Sequence, residues 1–245
     1  MLTEVISHVW SGPNAQYNRL LCYQLQGLLR WPPRESSVTI SVCYCPDDAA
    51  VVGSLIYWAT ALDIPAVTLR PYPMTKRRLL NRAIGRNELA RQTTADMVHF
   101  IDADYVGGPG FWDSVAKLAG RQERLFFPRE TLISRDHQAG DRYINSPGLL
   151  PLDPADFMPK RERRSIGGIQ ITSGRIAREV GYCPQERWQR PTDAETVVGF
   201  TADREFRRQL ETQGTAVDLG PLYRIRHSVT GDKRAERAGI TPSTK

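Results

Sequence analysis

Apolar positions along the chain follow two periods in turn, and the alternation predicts the fold. Residues 3–9 read as a first strand. The segment Ser11-Gly12-Pro13-Asn14 then reads as a turn. From 17 to 29 the apolar residues Leu20, Leu21, Leu25, Leu28 and Leu29 recur at helical spacing, and Pro32-Pro33 stops that helix. The β-branched stretch 38–45 predicts a second strand closed by Pro46-Asp47-Asp48. A helix over 49–62, a short strand over 66–69, a basic helix over 76–92 and a strand over 97–101 complete the first half. Strands alternating with helices of this length imply βαβ units and a mostly parallel sheet.

The second half is less regular. Residues 134–164 are polar, Pro-rich and charged, ending in Lys160-Arg161-Glu162-Arg163-Arg164, and read as a long loop with an acceptor-binding or lid role. Gly167-Gly168 precedes an alternating strand over 169–172. Thr192-x-x-Glu195 has the form of a capping box. Val198, Ala202, Phe206 and Leu210 then recur every four residues as one helix, with Thr201 as its cap and Gly214 as its stop. Closing strands are expected over 216–219 and 222–225, and a frayed polar tail over 231–245.

Composition adds limits rather than a function. The chain has 245 residues, 40% of them hydrophobic, which suits one sizeable domain. No apolar run reaches the roughly 18 residues that a membrane span requires. The N-terminus lacks the pattern of a signal peptide, so the expected location is the cytoplasm. Cys22, Cys43, Cys45 and Cys183 lack zinc spacing and are expected to be reduced and mostly buried. The net charge of +6 suits nucleic acid, an anionic membrane surface or phosphorylated ligands, and does not choose among them.

The chemistry concentrates in Val98-His99-Phe100-Ile101-Asp102-Ala103-Asp104, an apolar strand ending in two carboxylates one residue apart. Strand residues two apart face the same side, so Asp102 and Asp104 are expected to converge at a strand end. Such a pair suits a hard divalent cation, Mn2+ or Mg2+, with open positions for phosphate oxygens. Asp47 and Asp48 fall at the corresponding end of the second strand. The carboxyl ends of parallel strands are where such sheets bind ligands. Asp48 also has the position of a helix cap. Arg78, Arg82 and Arg86 repeat every four residues and are expected on one helix face. Trp112 and Trp188 are read as core residues.

These segments, in this order, resemble a family 2 glycosyltransferase of the GT-A fold. The resemblance covers residues 3–230 and rests on Val42 to Asp48, Arg86-Asn87, Phe100 to Asp104, Gly167-Gly168, Ala202 to Leu210 and Tyr223 to His227. Ala202-Asp203 stands where that family has Glu-Asp. The resemblance implies a Rossmann-like, mostly parallel central sheet flanked by helices, with a smaller acceptor-side region. It implies one domain over 1–230, with a nucleotide-sugar half over 1–110 and an acceptor half over 111–230.

The activity it implies is a metal-dependent, inverting transfer of a sugar from a nucleoside-diphosphate sugar, UDP-linked, to an acceptor hydroxyl. Asp104 and His227 would ligate Mn2+ or Mg2+, with Asp102 on the metal, a metal-bound water or the ribose. Asp47 or Asp48 would read the nucleotide, and Arg82 and Arg86 the diphosphate. Gly167 and Gly168 would let a sugar approach the backbone. Asp203 would be the general base, with Glu205 behind it. The acceptor is expected to be a glycan, a glycolipid or a hydroxylated base in DNA, with peripheral membrane contact as an option.

Two other functions compete. A nucleotidyltransferase on a similar scaffold calls for a Gly-rich segment bearing Arg or Lys just after the first strand, and Ser11 to Asn14 is not that. A non-catalytic nucleic-acid or carbohydrate-binding module leaves Asp102, Asp104, Asp203 and His227 without a task.

Overall fold

In the computed structural model, residues 1–11, 16–193 and 201–227 are described. The first half alternates as read: β1 (Leu2–His8), α1 (Gln16–Arg30), β2 (Ser37–Tyr44), α2 (Ala49–Ala61), β3 (Val67–Pro73), α3 (Lys76–Leu79), α4 (Arg82–Gln92) and β4 (Met97–Phe100). The second half adds β5 (Tyr105–Gly107), α5 (Phe111–Ala116), β6 (Phe126–Pro128), β7 (Glu130–Ser134), α6 (His137–Asn145), β8 (Phe157–Arg161), β9 (Gln170–Ser173), α7 (Gly174–Val180), α8 (Ala202–Gln209), β10 (Thr215–Val217) and β11 (Leu222–Arg224).

The central sheet has seven strands in the order β10-β6-β9-β4-β1-β2-β3. β1 pairs in parallel with β2 from Leu2↔Ser37 to His8↔Cys43, and with β4 from Thr3↔Met97 to Ile6↔Phe100. β9 runs antiparallel to β4 and β6, so the sheet is mostly parallel. A second sheet, β5-β11-β7-β8, packs beside it. The protein is therefore an α/β fold with a large central sheet flanked by helices. No helix among the described residues is long and apolar enough to cross a membrane.

Over β1, β2 and β4 the central sheet is covered on both faces. Successive strand residues serve opposite cores. Val5, Val42 and Met97 join Leu20, Leu25 and Trp112 on one face. Ile6, Cys43 and Val98 join Ile84, Tyr182 and Phe206 on the other. Each buried side chain of this size contributes about 1.5–3 kcal/mol. The four cysteines are free thiols, and Cys43, Cys45 and Cys183 are buried.

Tertiary contacts redraw several expected elements. The basic helix over 76–92 is two helices. Asn81 caps the second through Ala83 N–H and donates to the carbonyls of Trp188 and Arg190, both at 2.9 Å, so the chain turns there. Arg78 consequently leaves the stripe and pairs with Glu88.

The expected loop over 134–164 holds α6 and β8. Asp136 caps α6 through Ala139 N–H, and the helix buries Tyr143. β8 pairs with β7 from Glu130↔Arg161 to Ser134↔Phe157. The pattern missed both because their apolar positions are few and face a second sheet the sequence did not announce. Helix α8 begins at Ala202, where Thr201 occupies the cap position without a side-chain capping bond. Residues 12–14, Glu195, Val198 and the tail lie outside the described residues.

Candidate functional site

Strands β2 and β3 extend the sheet on one side of β1 and β4 on the other. The order therefore reverses between β1 and β4, and the crevice outside their carboxyl ends is where open α/β sheets bind ligands. His8 ends β1, and Asp102 and Asp104 follow β4. Gly85 lets α4 lie against these ends. A Cβ there would come within 2.4 Å of His8 Nε2 and 2.8 Å of Cys43 Sγ. That close approach carries Arg82 and Arg86 to the crevice.

Both arginines converge on Asp102 Oδ1, Arg86 from 2.9 Å. Arg86 is 2% exposed and also donates to Ile101 O at 3.2 Å and to the Tyr182 hydroxyl at 3.1 Å. Burial works against its charge, but Tyr182 and Asp102 outweigh it and raise its pKa. Burial likewise opposes the Asp102 charge, yet Arg82 and Arg86 hold its pKa at about 2. The same arginines, after burial, push His8 well below its usual range, so its imidazole is neutral.

Asp104 does not share these partners. Asp102 and Asp104 lie beyond the strand in the turn between β4 and β5, not alternating on it. Gln24 of α1 holds that turn by donating to Asp102 O at 3.3 Å and Tyr105 O at 3.0 Å. Asp104 Oδ2 accepts from Arg224 Nε at 2.9 Å, and Asp104 O accepts from Ile225 N–H at 2.8 Å. Arg224 stacks over Tyr105, 5.1 Å from its ring centroid. His227 meets Tyr17 edge to face at 5.5 Å, and burial lowers its pKa while Asp104 pulls the other way. Burial and then Asp104 raise the Tyr17 pKa.

Asp203 approaches from the other half. A Cβ on Gly167 would lie 3.5 Å from Asp203 Cβ and 3.8 Å from Asp102 Oδ2, so Gly167 sits between the two carboxylates. A chain of hydrogen bonds also joins them. Arg86 donates to Tyr182, Tyr182 to Gln170 Oε1 at 2.9 Å, and Gln170 Nε2 to Asp203 O at 3.2 Å. Asp203 Oδ2 faces Arg207 at 3.3 Å.

The adjoining glycine is under tighter constraint. A Cβ on Gly168 would meet the buried Tyr105 ring at 2.4 Å. Gly168→Ala should therefore destabilise the protein by about 1–3 kcal/mol, whereas Gly167→Ala should be tolerated. Equal melting temperatures for the two variants would contradict this packing.

Asp102, Asp104, Arg82, Arg86, Gly167, Gly168, Asp203 and His227 thus gather in one region. Asp48 is turned elsewhere. It is buried, caps α2 through Val51 N–H and accepts from Ser11 N–H and Oγ, both at 2.8 Å. Asp47 is exposed beside it. Glu205 is bound by Arg187 and Arg208, and the Arg208 hydrogen bond lowers its pKa. It lines a different concavity, with Arg164 and Arg204.

Sequence reasoning missed His8, Gln24, Arg224 and Tyr182. Only His8, at the end of a predicted strand, carried a local signal. Among the described residues no three His, Cys, Asp or Glu side chains stand together as a ready metal-ligand set. Each aspartate of the pair commits one oxygen to arginine. Asp102 Oδ2 and Asp104 Oδ1 accept no hydrogen bond among the described residues, which leaves them as the oxygens chemically suited to a hard cation.

No protein-family model matches the chain, and no curated protein matches it. A crystal structure described as a glucose-1-phosphate thymidylyltransferase from Bacillus anthracis in complex with sucrose superposes with a TM-score of 0.49 at 10% identity. It covers 100% of this chain and 98% of that one. That likeness is too slight to argue an activity. The resemblance to family 2 glycosyltransferases is corrected here. No family model supports it, and the superposed structure is described as a nucleotidyltransferase. Inverting sugar transfer is withdrawn with it, and of the GT-A assignment the α/β fold with its mostly parallel central sheet is what stands.

Proposed function

We propose that this chain is a nucleotidyltransferase, binding a nucleoside triphosphate at the β1–β4 crevice and passing its nucleoside monophosphate to a phosphorylated acceptor. One observation carries the reading. Asp102, Asp104 and Asp203 each face an arginine, so guanidinium charge stands beside every carboxylate of the crevice. An acceptor phosphate is already anionic and needs no general base. It needs positive charge against the triphosphate, which Arg82 of α4 and Arg224 of β11 supply. These arginines stand in for the cationic segment that Ser11 to Asn14 lacks.

In the reaction an acceptor phosphate oxygen attacks the α-phosphorus. The bond from that phosphorus to its bridging oxygen breaks, and diphosphate leaves with the electron pair. Arg82, 20% exposed, is placed to bind the departing phosphates as a fork. Arg86, almost fully buried, orients Asp102 rather than reaching a ligand. Asp102 Oδ2 and Asp104 Oδ1 would hold Mg2+ or Mn2+, which when bound neutralises the leaving group.

The test is diphosphate release across a panel of nucleoside triphosphates and sugar 1-phosphates. Release should require one of each, and Arg82→Met should lower kcat about 10²–10³-fold without changing the melting temperature. A protein that binds no nucleoside triphosphate, or transfers a sugar from a nucleotide sugar instead, would sink the reading.

A further inference from the structure

The run Lys160-Arg161-Glu162-Arg163-Arg164 takes no part in this chemistry, yet the fold pins it. Glu162 N–H donates to Arg129 O at 2.9 Å on one side, and Ser165 N–H to Gln213 O at 3.0 Å on the other. The arginines are thereby shared between two adjoining concavities. One, of about 730 Å³, is lined by Arg164, Arg204, Arg207 and Arg208. The other, of about 420 Å³, is lined by Arg129, Arg161 and Arg163.

Most acids on this face are already taken. Glu162 holds Lys160 and Thr131, Glu205 holds Arg187 and Arg208, and Asp218 holds Arg129. Glu211 lines the larger concavity, and Glu130 stands opposite Arg161 in the β7–β8 register. Arg161, Arg163, Arg164 and Arg204 are exposed and form no ion pair among the described residues. Arg207 is 4% exposed, and its Nε–H finds no acceptor among the described residues.

We infer that this face binds the phosphodiester backbone of a single nucleic-acid strand. Guanidinium forks match phosphate oxygens. The three steps from Arg161 to Arg164 span at most about 10 Å, room for successive backbone phosphates. A membrane is disfavoured because no exposed large apolar side chain lines either concavity, and insertion needs one. No exposed aromatic lines them for base stacking, so binding is electrostatic and sequence-independent. Arg207 donates to both Ser165 O and Asp203, which ties this face to the candidate site through α8.

The experiment is fluorescence anisotropy of the full chain with a labelled single-stranded oligonucleotide at about 50 and 200 mM salt. The triple variant Arg161→Ser, Arg163→Ser, Arg164→Ser should weaken binding at least about tenfold at the lower salt. It should also reduce the log-log salt slope by about 2, at roughly 0.7 per lost phosphate contact on a single strand. Arg204→Ser, on a different element, should weaken binding independently, and Arg175→Ser on α7 should leave it unchanged. Melting curves confirm that the variants fold, and diphosphate release should survive in the triple variant, which separates this inference from the proposed activity. Three results would overturn it: no oligonucleotide binding at low salt, binding indifferent to these substitutions, or binding only to phosphatidylserine vesicles.

Discussion

Replacing Arg86 by methionine should cost about 3–5 kcal/mol of stability and abolish nucleotide binding. The side chain is almost fully buried and serves three acceptors, Asp102 Oδ1, Ile101 O and the Tyr182 hydroxyl. Methionine fills the volume but leaves those groups desolvated, and Asp102 keeps only Arg82. Lysine restores the charge without the fork, so Arg86→Lys should fall between methionine and wild type. Urea midpoints for the three proteins check the order. A methionine variant within about 1 kcal/mol of wild type would show that the arginine is replaceable by packing alone.

Acid should weaken the fold from pH 6.5 downward. Burial holds the His99 imidazole at about 3 against an ordinary 6.5, with Arg86 adding to the effect. Below pH 6.5 the unfolded chain takes up a proton that the folded chain refuses. Stability from this group is thus complete above 6.5 and is lost as pH falls toward 3. Each such histidine contributes a slope of about 1.4 kcal/mol per pH unit. His8, depressed by burial and by both arginines of α4, acts in the same direction. Asp102 joins later, between its ordinary 3.8 and about 2, as its ion pairs are lost. Denaturation at pH 7, 5.5 and 4.5 measures the slope. His99→Gln should flatten it by about one proton whatever its effect on absolute stability. An unchanged slope would clear His99 of the titration.

The legible parts of this protein were those whose signal is local. The first elements announce themselves because β1, β2 and β4 are covered on both faces and α1 carries an apolar stripe. The motif Asp102-x-Asp104 was visible for the same reason, as an apolar run ending in carboxylates. Short elements were not visible. β5, β6, β10 and β11 have three residues each, too few for any period, and exist because a neighbouring strand pairs with them. The second sheet, built from such pieces with β7 and β8, turned an expected loop into structure.

The site divides along the same line. The sequence by itself determined the alternating α/β order, the sheet edge proposed for ligands, and the arginines and aspartates that stand near it. Only the tertiary structure decided which arginine meets which aspartate. Arg82 and Arg86 reach Asp102 from a neighbouring helix because Gly85 allows a close approach. Arg224 reaches Asp104 across 120 residues of chain. No spacing rule foretells that contact, because it depends on β11 pairing beside β5. With those pairings the carboxylates are held by arginine, and guanidinium charge stands at the crevice beside them.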